Sequence, residues 1–232
     1  MREATFTRAA HQLVLEILRK FDCSFLAEAR CYFGGGTRIV LELGEYRESR
    51  DIDFLCSSRD GYRLLRETVN GNSLGKILSG GISLARDVRS DQYGIRTFIE
   101  TNQLKLKFEI IREARIDLEA NDIVKLPVMC LTRKHCFAEK FLANADRGLD
   151  ASTLSRDIVD LAFMIQGWSK TDADAGLAIA EAAYGDSVLR SLAAVAKAMG
   201  DKVYRNRCIE GLGIATPKIL TAGLKTLSSL VA

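Results

Sequence analysis

The chain has 232 residues, of which 47% are hydrophobic and 27% charged, so it is long enough for one large globular domain or two small ones. Its formal net charge of +3 does not by itself indicate a nucleic-acid-binding protein. No apolar run is long enough to cross a membrane, and the N-terminal sequence lacks the basic-then-apolar pattern of a signal peptide, so we expect a cytoplasmic protein with no membrane partner.

The first half of the chain predicts mixed helices and strands, and the second half predicts helices alone. Amphipathic patterns predict helices over residues 6–21 and 62–69, and apolar or alternating runs predict strands over residues 31–33, 52–56, 82–89, 95–101 and 104–111. The last two strands are expected to form a hairpin through Asn102 and Gln103. The helices of the second half are predicted over residues 135–146, 154–166, 173–184, 187–198 and 217–231. This order indicates an α+β fold.

A glycine turn follows the first short strand. Gly34, Gly35 and Gly36 have no Cβ, so their backbone N–H groups can closely approach a phosphate. Thr37 offers a hydroxyl group and an N-cap for a helical segment over residues 38–43. The pattern predicts a phosphate-binding turn, although a glycine run before a helix is often only a turn.

Two aspartates begin the next strand. Alternate side chains of a strand point to the same face, so Asp51 and Asp53 would project together while Ile52 faces the core. Two carboxylates on one face repel each other unless they share a partner, and a divalent cation such as Mg²⁺ is the usual one. The alternative is an exposed strand with solvated aspartates.

The strand over residues 104–111 has one apolar and one charged face. Lys105, Lys107 and Glu109 share the charged face. Taken alone, this pattern favours an ordinary amphipathic strand with solvated charges.

Charged residues also share faces on two helices of the second half. Lys140 and Arg147 lie two helical turns apart on one helix, and Asp157 and Asp160 are spaced i, i+3 on the next. The spacing predicts an ion-pair cluster between the helices. Such a cluster is compatible with a catalytic lysine that a buried aspartate orients.

The six cysteines are scattered and form no Cys-x-x-Cys pair. Cys130, His135 and Cys136 lie close in sequence, but their spacing does not match a common zinc site. We therefore expect reduced, mostly buried thiols and no zinc.

Over about residues 30–165 these motifs resemble the AbiEii/AbiGii toxin-like branch of the nucleotidyltransferase superfamily that includes DNA polymerase beta. That branch shows Gly-Gly-Thr and then Arg-x-Ser-x-Asp-hydrophobic-Asp, which this chain matches from Gly35 and from Arg47. It also has a lysine and a third carboxylate on a later strand, and two helical motifs. The residues that match these later motifs are Lys107, Glu109, Lys140, Ala143, Arg147, Arg156, Asp157, Asp160 and Leu161. The chain departs from the family in carrying Glu109 where an aspartate is expected.

The resemblance implies a role for each matching residue. Asp51 and Asp53 would hold Mg²⁺, or Mn²⁺, on a nucleoside triphosphate, and Glu109 would either complete the metal site or act as a general base. Asp157, itself expected to be one of the catalytic residues, or Asp160 would orient Lys140, which would neutralise charge on the phosphates. The nucleotide would be bound by Gly35, Gly36, Thr37, Arg47, Ser49, Lys107 and Lys140.

The resemblance also implies a fold and a function. The expected fold is a nucleotidyltransferase-type mixed sheet with flanking helices over residues 1–130, followed by a helical bundle over residues 131–232, with the active site in a cleft between them. The expected function is Mg²⁺-dependent nucleotide transfer to an RNA, such as a tRNA 3′ end, or to a protein hydroxyl. The protein would be the toxin of a toxin–antitoxin or phage-exclusion system, with a cognate antitoxin. The alternatives are a catalytically idle nucleotide-binding or interaction module, and a kinase-like phosphotransferase.

Overall fold

The computed structural model describes residues 5–78, 82–102, 104–121 and 125–231. The chain forms two compact units. The first comprises Met1–Leu41 and Ser49–Thr132, and the second comprises Glu42–Glu48 and Arg133–Ala232. The sequence had assigned residues 42–48 to the first domain, whereas in the structure this segment belongs with the second unit.

The first unit is built on a mixed sheet. Its strands are β1 (Cys31–Phe33), β2 (Ile52–Cys56), β3 (Ser83–Leu84), β4 (Arg89–Ser90), β5 (Gly94–Glu100), β6 (Lys105–Arg112), β7 (Ala120–Asn121) and β8 (Cys130–Leu131). The strand order is β3-β5-β6-β2-β1-β8-β7, and β4 pairs with β5. Strand β2 is parallel to β6 and antiparallel to β1, so both of its edges are hydrogen-bonded.

Alternation along β2 and β6 separates an apolar face from a charged one. Ile52 and Phe54 of β2 and Phe108 of β6 are fully buried. The residues between them, Asp53 and Glu109, are only partly buried. Burying each large apolar side chain contributes about 1.5–3 kcal/mol, so a shift of register by one residue would cost the sheet its core face. The core therefore fixes which face carries the carboxylates.

Four helices accompany the sheet in the described part of the chain: α1 (Ala9–Leu18), α2 (Cys23–Glu28), α3 (Gly35–Glu42) and α4 (Arg59–Thr68). Helix α2 begins after Asp22, whose side chain accepts a hydrogen bond from the backbone N–H of Phe25, and Ser58 caps α4 in the same way through Gly61. Helix α1 contributes Val14 and Leu18, both fully buried, to the core under the sheet.

The second unit is helical. Its helices are α5 (Arg133–Arg147), α6 (Arg156–Gly167), α7 (Lys170–Tyr184), α8 (Ser187–Gly200), α9 (Lys202–Gly211) and α10 (Pro217–Ser228). Apolar residues of α5 and α6 pack in its interior, including Phe137, Phe141 and Leu161, which are fully buried. A mixed sheet with flanking helices followed by a helical bundle confirms the α+β prediction.

The structure also differs from the sequence prediction in several elements. The sequence pattern missed α2, α9, β7 and β8. The strand predicted over residues 82–89 is two short strands, β3 and β4, separated by a bend. Strands β5 and β6 pair as an antiparallel hairpin. One residue of its predicted turn, Gln103, lies outside the described residues.

None of the six cysteines, all of them among the described residues, forms a disulfide, and five of them are buried, as predicted. Burial raises the pKa of the Cys56 thiol to about 11, so that group stays protonated at neutral pH. Within the described residues, no helix is long and apolar enough to span a membrane.

Candidate active site

The two carboxylates predicted to bind metal lie at the start of β2. Asp51 directly precedes the strand, and Asp53 is its second residue. Both side chains are partly exposed, while Ile52 between them is fully buried. Asp53 is in register with Glu109 on the parallel neighbour β6. Residues in register on adjacent strands share a face, so the sheet brings Asp53 and Glu109 to one side, and Asp51 lies directly before the strand.

The glycine turn packs directly against Asp53. Gly35 has a φ of +67°, and a Cβ built on it would lie 2.5 Å from Oδ2 of Asp53. The backbone N–H of Gly34 donates a hydrogen bond to the carbonyl oxygen of Asp53 at 2.9 Å. A side chain at Gly35 would therefore collide with the carboxylate as well as strain the backbone. The turn and the aspartate form one unit of structure, with Gly36 in the first turn of α3.

Thr37 is not the N-cap that the sequence predicted. Helix α3 begins at Gly35, so Thr37 lies within the helix and is fully buried. The helix begins two residues before Thr37, so the threonine hydroxyl is engaged by Ser49 rather than by a helix N-terminus. The Thr37 hydroxyl lies 2.9 Å from the hydroxyl of Ser49. The backbone N–H of Ser49 donates to Nε2 of His11 at 3.2 Å, a contact from α1 that the sequence did not predict.

Glu109 is bound by two cations. Lys107 Nζ lies 2.5 Å from its Oε2, and Arg96 Nε lies 2.5 Å from its Oε1. Burial alone would raise the pKa of Glu109, but Lys107 and then Arg96 outweigh it and lower that pKa. Arg96 was missed by the sequence analysis. The feature that could have indicated Arg96 is the antiparallel register of the β5–β6 hairpin, which pairs Arg96 with Glu109.

The ammonium group of Lys107 is surrounded by negative charge. Burial lowers its pKa, but Glu109, and then Asp53 and Asp51, outweigh burial and raise it. The Lys107 side chain is 42% exposed, so this cation is both accessible and held among all three carboxylates. A phosphate group would find a fully charged lysine here.

The fit of a metal ion to these residues is partial. Within the described ranges, no group of three or more His, Cys, Asp or Glu side chains is arranged to hold a metal ion. Glu109 binds Lys107 and Arg96 in this structure. Asp51 and Asp53 do present hard carboxylate oxygens on a partly exposed strand face, and Mg²⁺ needs only one or two such carboxylates when water and substrate phosphates supply its other ligands. The two aspartates therefore fit a substrate-bound Mg²⁺, whereas Glu109 as a third ligand stays a prediction.

The remaining predicted residues form a buried charge cluster in the second unit. Lys140 Nζ lies 2.8 Å from Oδ1 of Asp157 and 2.6 Å from Oδ2 of Asp160. Arg147 donates to both oxygens of Asp157, at 2.8 and 3.1 Å. These contacts confirm the expected ion pairs between the two helices. Burial lowers the pKa of Lys140, but Asp157 and Asp160 outweigh it, so the lysine stays charged.

Arg47 belongs to the same cluster. Its Nε and Nη2 donate to the two oxygens of Asp160 at 2.7 and 2.9 Å, and its Nη1 donates to the carbonyl of Glu48 at 2.9 Å. The Tyr46 hydroxyl also donates to Asp160, at 2.6 Å. The structure thus gives Arg47 a protein partner, and its predicted nucleotide contact stays a prediction. No sequence pattern indicated a role for Tyr46.

The structure therefore brings the predicted site residues together in two groups. One group belongs to the first unit, on β2, β6, the start of α3 and the residues just before β2, and comprises Gly35, Gly36, Thr37, Ser49, Asp51, Asp53, Lys107 and Glu109. The other is the charge cluster of the second unit and comprises Arg47, Lys140, Arg147, Asp157 and Asp160. The expected cleft between the halves of the chain stays a prediction.

Comparisons with known proteins show the family and the fold. The family model described as "Nucleotidyl transferase AbiEii toxin, Type IV TA system" matches residues 16–216. A solved structure from H. pylori, of a protein described as a candidate nucleotidyltransferase, is similar with 19% identity and a TM-score of 0.55, over 95% of this chain and 94% of that one. JHP933 from Helicobacter pylori is similar with 16% identity and a TM-score of 0.53, over 98% and 95%. At these identities the likeness shows the fold. No curated protein matches the chain.

Proposed function

Because the chain belongs to the AbiEii nucleotidyl transferase toxin family of type IV toxin–antitoxin systems, and is thus a transferase, we propose that it moves a nucleotide from a nucleoside triphosphate to a hydroxyl group of an RNA or a protein. One observation carries the proposal. Asp53, with Asp51 two residues before it, is in register with Glu109 on a partly exposed sheet face and lies against the glycine turn. Carboxylates beside a glycine turn are the parts that this chemistry needs.

The residues of the sheet divide the work. Asp51 and Asp53 would hold Mg²⁺, with Mn²⁺ as a substitute, and the ion would neutralise the triphosphate and align it for in-line attack. Lys107 is accessible and charged, so it can turn from Glu109 to a phosphate oxygen. The acceptor oxygen forms a bond to the α-phosphorus, the bond to the β-phosphate oxygen breaks, and pyrophosphate leaves.

Glu109 is better suited to positioning than to proton transfer. A general base works best with a pKa near the operating pH, and Lys107 and Arg96 instead lower the pKa of Glu109. Its Oε1 accepts a hydrogen bond from Arg96 and its Oε2 accepts one from Lys107. Glu109 therefore holds both cations on the sheet face that carries Asp53. We therefore propose that Glu109 orients Lys107 and Arg96, and that the acceptor proton passes to water.

The proposed partners follow from the family. A cognate antitoxin is expected from the type IV system, and a tRNA 3′ end is one acceptor within the proposed class. The proposal places the protein in the cytoplasm, where its nucleotide and its RNA acceptor are found.

The test measures which labelled phosphate of the nucleotide is transferred to RNA or protein. The protein is incubated with Mg²⁺, total RNA and each nucleoside triphosphate, labelled at either the α- or the γ-phosphate. We expect α-label, and not γ-label, to enter the RNA or the protein itself, and to be lost with Asp53→Asn. Transfer of γ-label would indicate a kinase-like phosphotransferase. Binding of nucleotide without transfer of either label would indicate an idle module.

A further inference from the structure

The segment Glu42–Glu48 is anchored in the second unit at several points. The Tyr46 ring stacks on Phe163, with centroids 3.9 Å apart and planes inclined by 10°. Its backbone carbonyl accepts a hydrogen bond from the N–H of Ala215 at 3.0 Å. At the start of the segment, Arg133 Nη2 lies 2.7 Å from Oε1 of Glu42. The segment is therefore held by backbone, ring and charge contacts together.

Asp160 is the centre of this anchor. It receives two hydrogen bonds from Arg47 and one from Tyr46, and its Oδ2 also lies 2.6 Å from Lys140 Nζ. The side chains of Asp160 and Arg47 are 0% and 5% exposed. A planar guanidinium that meets both oxygens of a carboxylate fixes orientation as well as distance, which a lysine ammonium cannot do.

The chain leaves this anchor directly into the candidate active site. Ser49 follows the segment, and its hydroxyl and backbone N–H contact Thr37 and His11 in the first unit. Asp51 comes four residues after Arg47 in the sequence, and Asp53 follows it in β2. Only residues 48–50 separate Arg47 from Asp51 in the sequence. The position in which the Arg47–Asp160 ion pair holds the chain can therefore determine where the two carboxylates of the proposed metal site lie.

We propose that Arg47 and Asp160 are positioning residues for the transfer reaction: their bidentate ion pair fixes the segment that leads into Asp51 and Asp53. This inference rests on the proposed function. It assigns Arg47 to Asp160 rather than to the nucleotide, because both the Nε and the Nη2 of its guanidinium are bound to that buried carboxylate. Misplacement of a reacting group by about 1 Å can cost about 10²-fold in rate, so small changes in this pair should be visible.

A buried ion pair can also serve stability alone, and the test has to separate the two roles. Arg47→Lys keeps the charge but loses the bidentate geometry. Arg205→Lys is the matched control, since Arg205 donates to the carbonyls of Met199 and Gly200 in the same unit and has no contact with Asp160 among those described. Tyr46→Phe removes one hydrogen bond to Asp160 while retaining the ring on Phe163.

Each variant is measured for Mn²⁺ affinity, for kcat and KM of α-label transfer, and for thermal stability. We expect Arg47→Lys to weaken Mn²⁺ binding and to lower kcat, each by about 10- to 100-fold, with Arg205→Lys unchanged in both. Tyr46→Phe should also weaken Mn²⁺ binding and lower kcat, each by about threefold. If Arg47→Lys does not fold, the Tyr46→Phe result decides.

The outcomes are distinct. If Arg47→Lys and Arg205→Lys have equal Mn²⁺ affinity and equal kcat, the positioning role is overturned and the proposed function still stands. If Arg47→Lys does not fold, equal values in Tyr46→Phe and the wild type lead to the same conclusion. A rise in KM for the nucleotide with unchanged kcat and Mn²⁺ affinity would also overturn it, because that result indicates a direct nucleotide contact. Wild-type protein that neither binds Mn²⁺ nor transfers label would overturn the proposed function, and this inference with it.

Discussion

The sheet and the helical unit both carry lysine and arginine paired with carboxylates, but they differ in exposure. On the sheet, the side chains of Lys107 and Arg96 are 42% and 37% exposed. In the helical unit, those of Lys140 and Arg47 are 8% and 5% exposed, around a fully buried Asp160. The same residue types therefore sit in two different electrostatic environments.

That difference indicates two different uses of charge. Lys107 is 42% exposed, and Glu109 keeps Arg96 as a partner when Lys107 turns to a phosphate, so the exchange leaves no carboxylate without a cation. A buried pair that loses one partner leaves an uncompensated charge, at a cost of about 3–5 kcal/mol. We therefore assign partner exchange with the substrate to the sheet, and fixed geometry to the cluster around Asp160.

The largest effect should come from the carboxylates of β2. Asp51→Asn and Asp53→Asn should each lower the transfer rate by at least about 10³-fold, because each removes a metal ligand that stabilises the transition state. The fold should survive, since both side chains are partly exposed and a repulsive charge is removed. Rates of α-label transfer together with circular dichroism check this. Full activity in either folded variant would end the two-carboxylate mechanism.

The next largest effect should come from Lys140. Its burial against Asp157 and Asp160 excludes the surface-lysine alternative. Lys140→Ala should lower the free energy of unfolding by about 3–5 kcal/mol, measured in urea, whereas the exposed Lys197→Ala should change it by less than about 0.5 kcal/mol.

The catalytic role predicted for Lys140 is tested separately. If Lys140 contacts the phosphates, Lys140→Ala should also lose about 10² to 10³ in transfer rate under conditions in which it remains folded. A destabilised variant that retains the wild-type rate would leave Lys140 with a structural role alone.

Acid should weaken the buried cluster. Burial raises the pKa values of Asp157 and Asp160, but for Asp157 first Lys140, and for Asp160 first Arg47, outweighs burial and lowers them. The folded state then binds fewer protons than the unfolded state, so the stabilisation is complete above the usual aspartate pKa of about 3.9 and is lost as the pH falls through the lower folded values. The difference in unfolding free energy between wild type and Asp157→Asn should therefore shrink as the pH is lowered below about 4. A constant difference would contradict the ion pairing.

A smaller effect is expected at the glycine turn. Gly35→Ala should destabilise the protein by about 1–3 kcal/mol, because the residue needs a positive φ and the new methyl group meets the Asp53 carboxylate. Gly213→Ala is the matched control, with φ of +60° and no atom within 4 Å of the added Cβ. Gly35→Ala should lose nucleotide affinity by calorimetry and Gly213→Ala should not. Equal behaviour of the two would reduce Gly35 to an ordinary turn residue.

Local pattern was sufficient for the elements that hold the sheet carboxylates. Strands β1 and β2 have the predicted bounds, since alternation and apolar runs are properties of neighbouring residues. The two-residue strands β7 and β8 were missed because they exist only through pairing with other parts of the chain. Helices α2 and α9 follow the N-cap residues Asp22 and Asp201. They were missed because the prediction relied on apolar periodicity, which does not detect N-cap residues.

In the candidate sites, too, local sequence pattern predicts some features, and others depend on tertiary contacts. The charged face of β6 follows from its alternation, but the contact of Arg96 with Glu109 depends on hairpin register. Arg47 and Asp160 lie 113 residues apart in sequence, so nothing local to either of them indicates their pairing. Sequence identified the charged residues, and tertiary structure determined which of them are buried.

The central claim is that Asp51 and Asp53 hold the metal, and Mn²⁺ binding in the presence of a non-hydrolysable nucleoside triphosphate analogue tests it most directly. The account predicts that Asp53→Asn weakens Mn²⁺ binding by at least about tenfold. Glu109→Gln, which alters a side chain bound to Lys107 and Arg96, should weaken it less. Wild-type Mn²⁺ affinity in a folded Asp53→Asn protein would contradict the account.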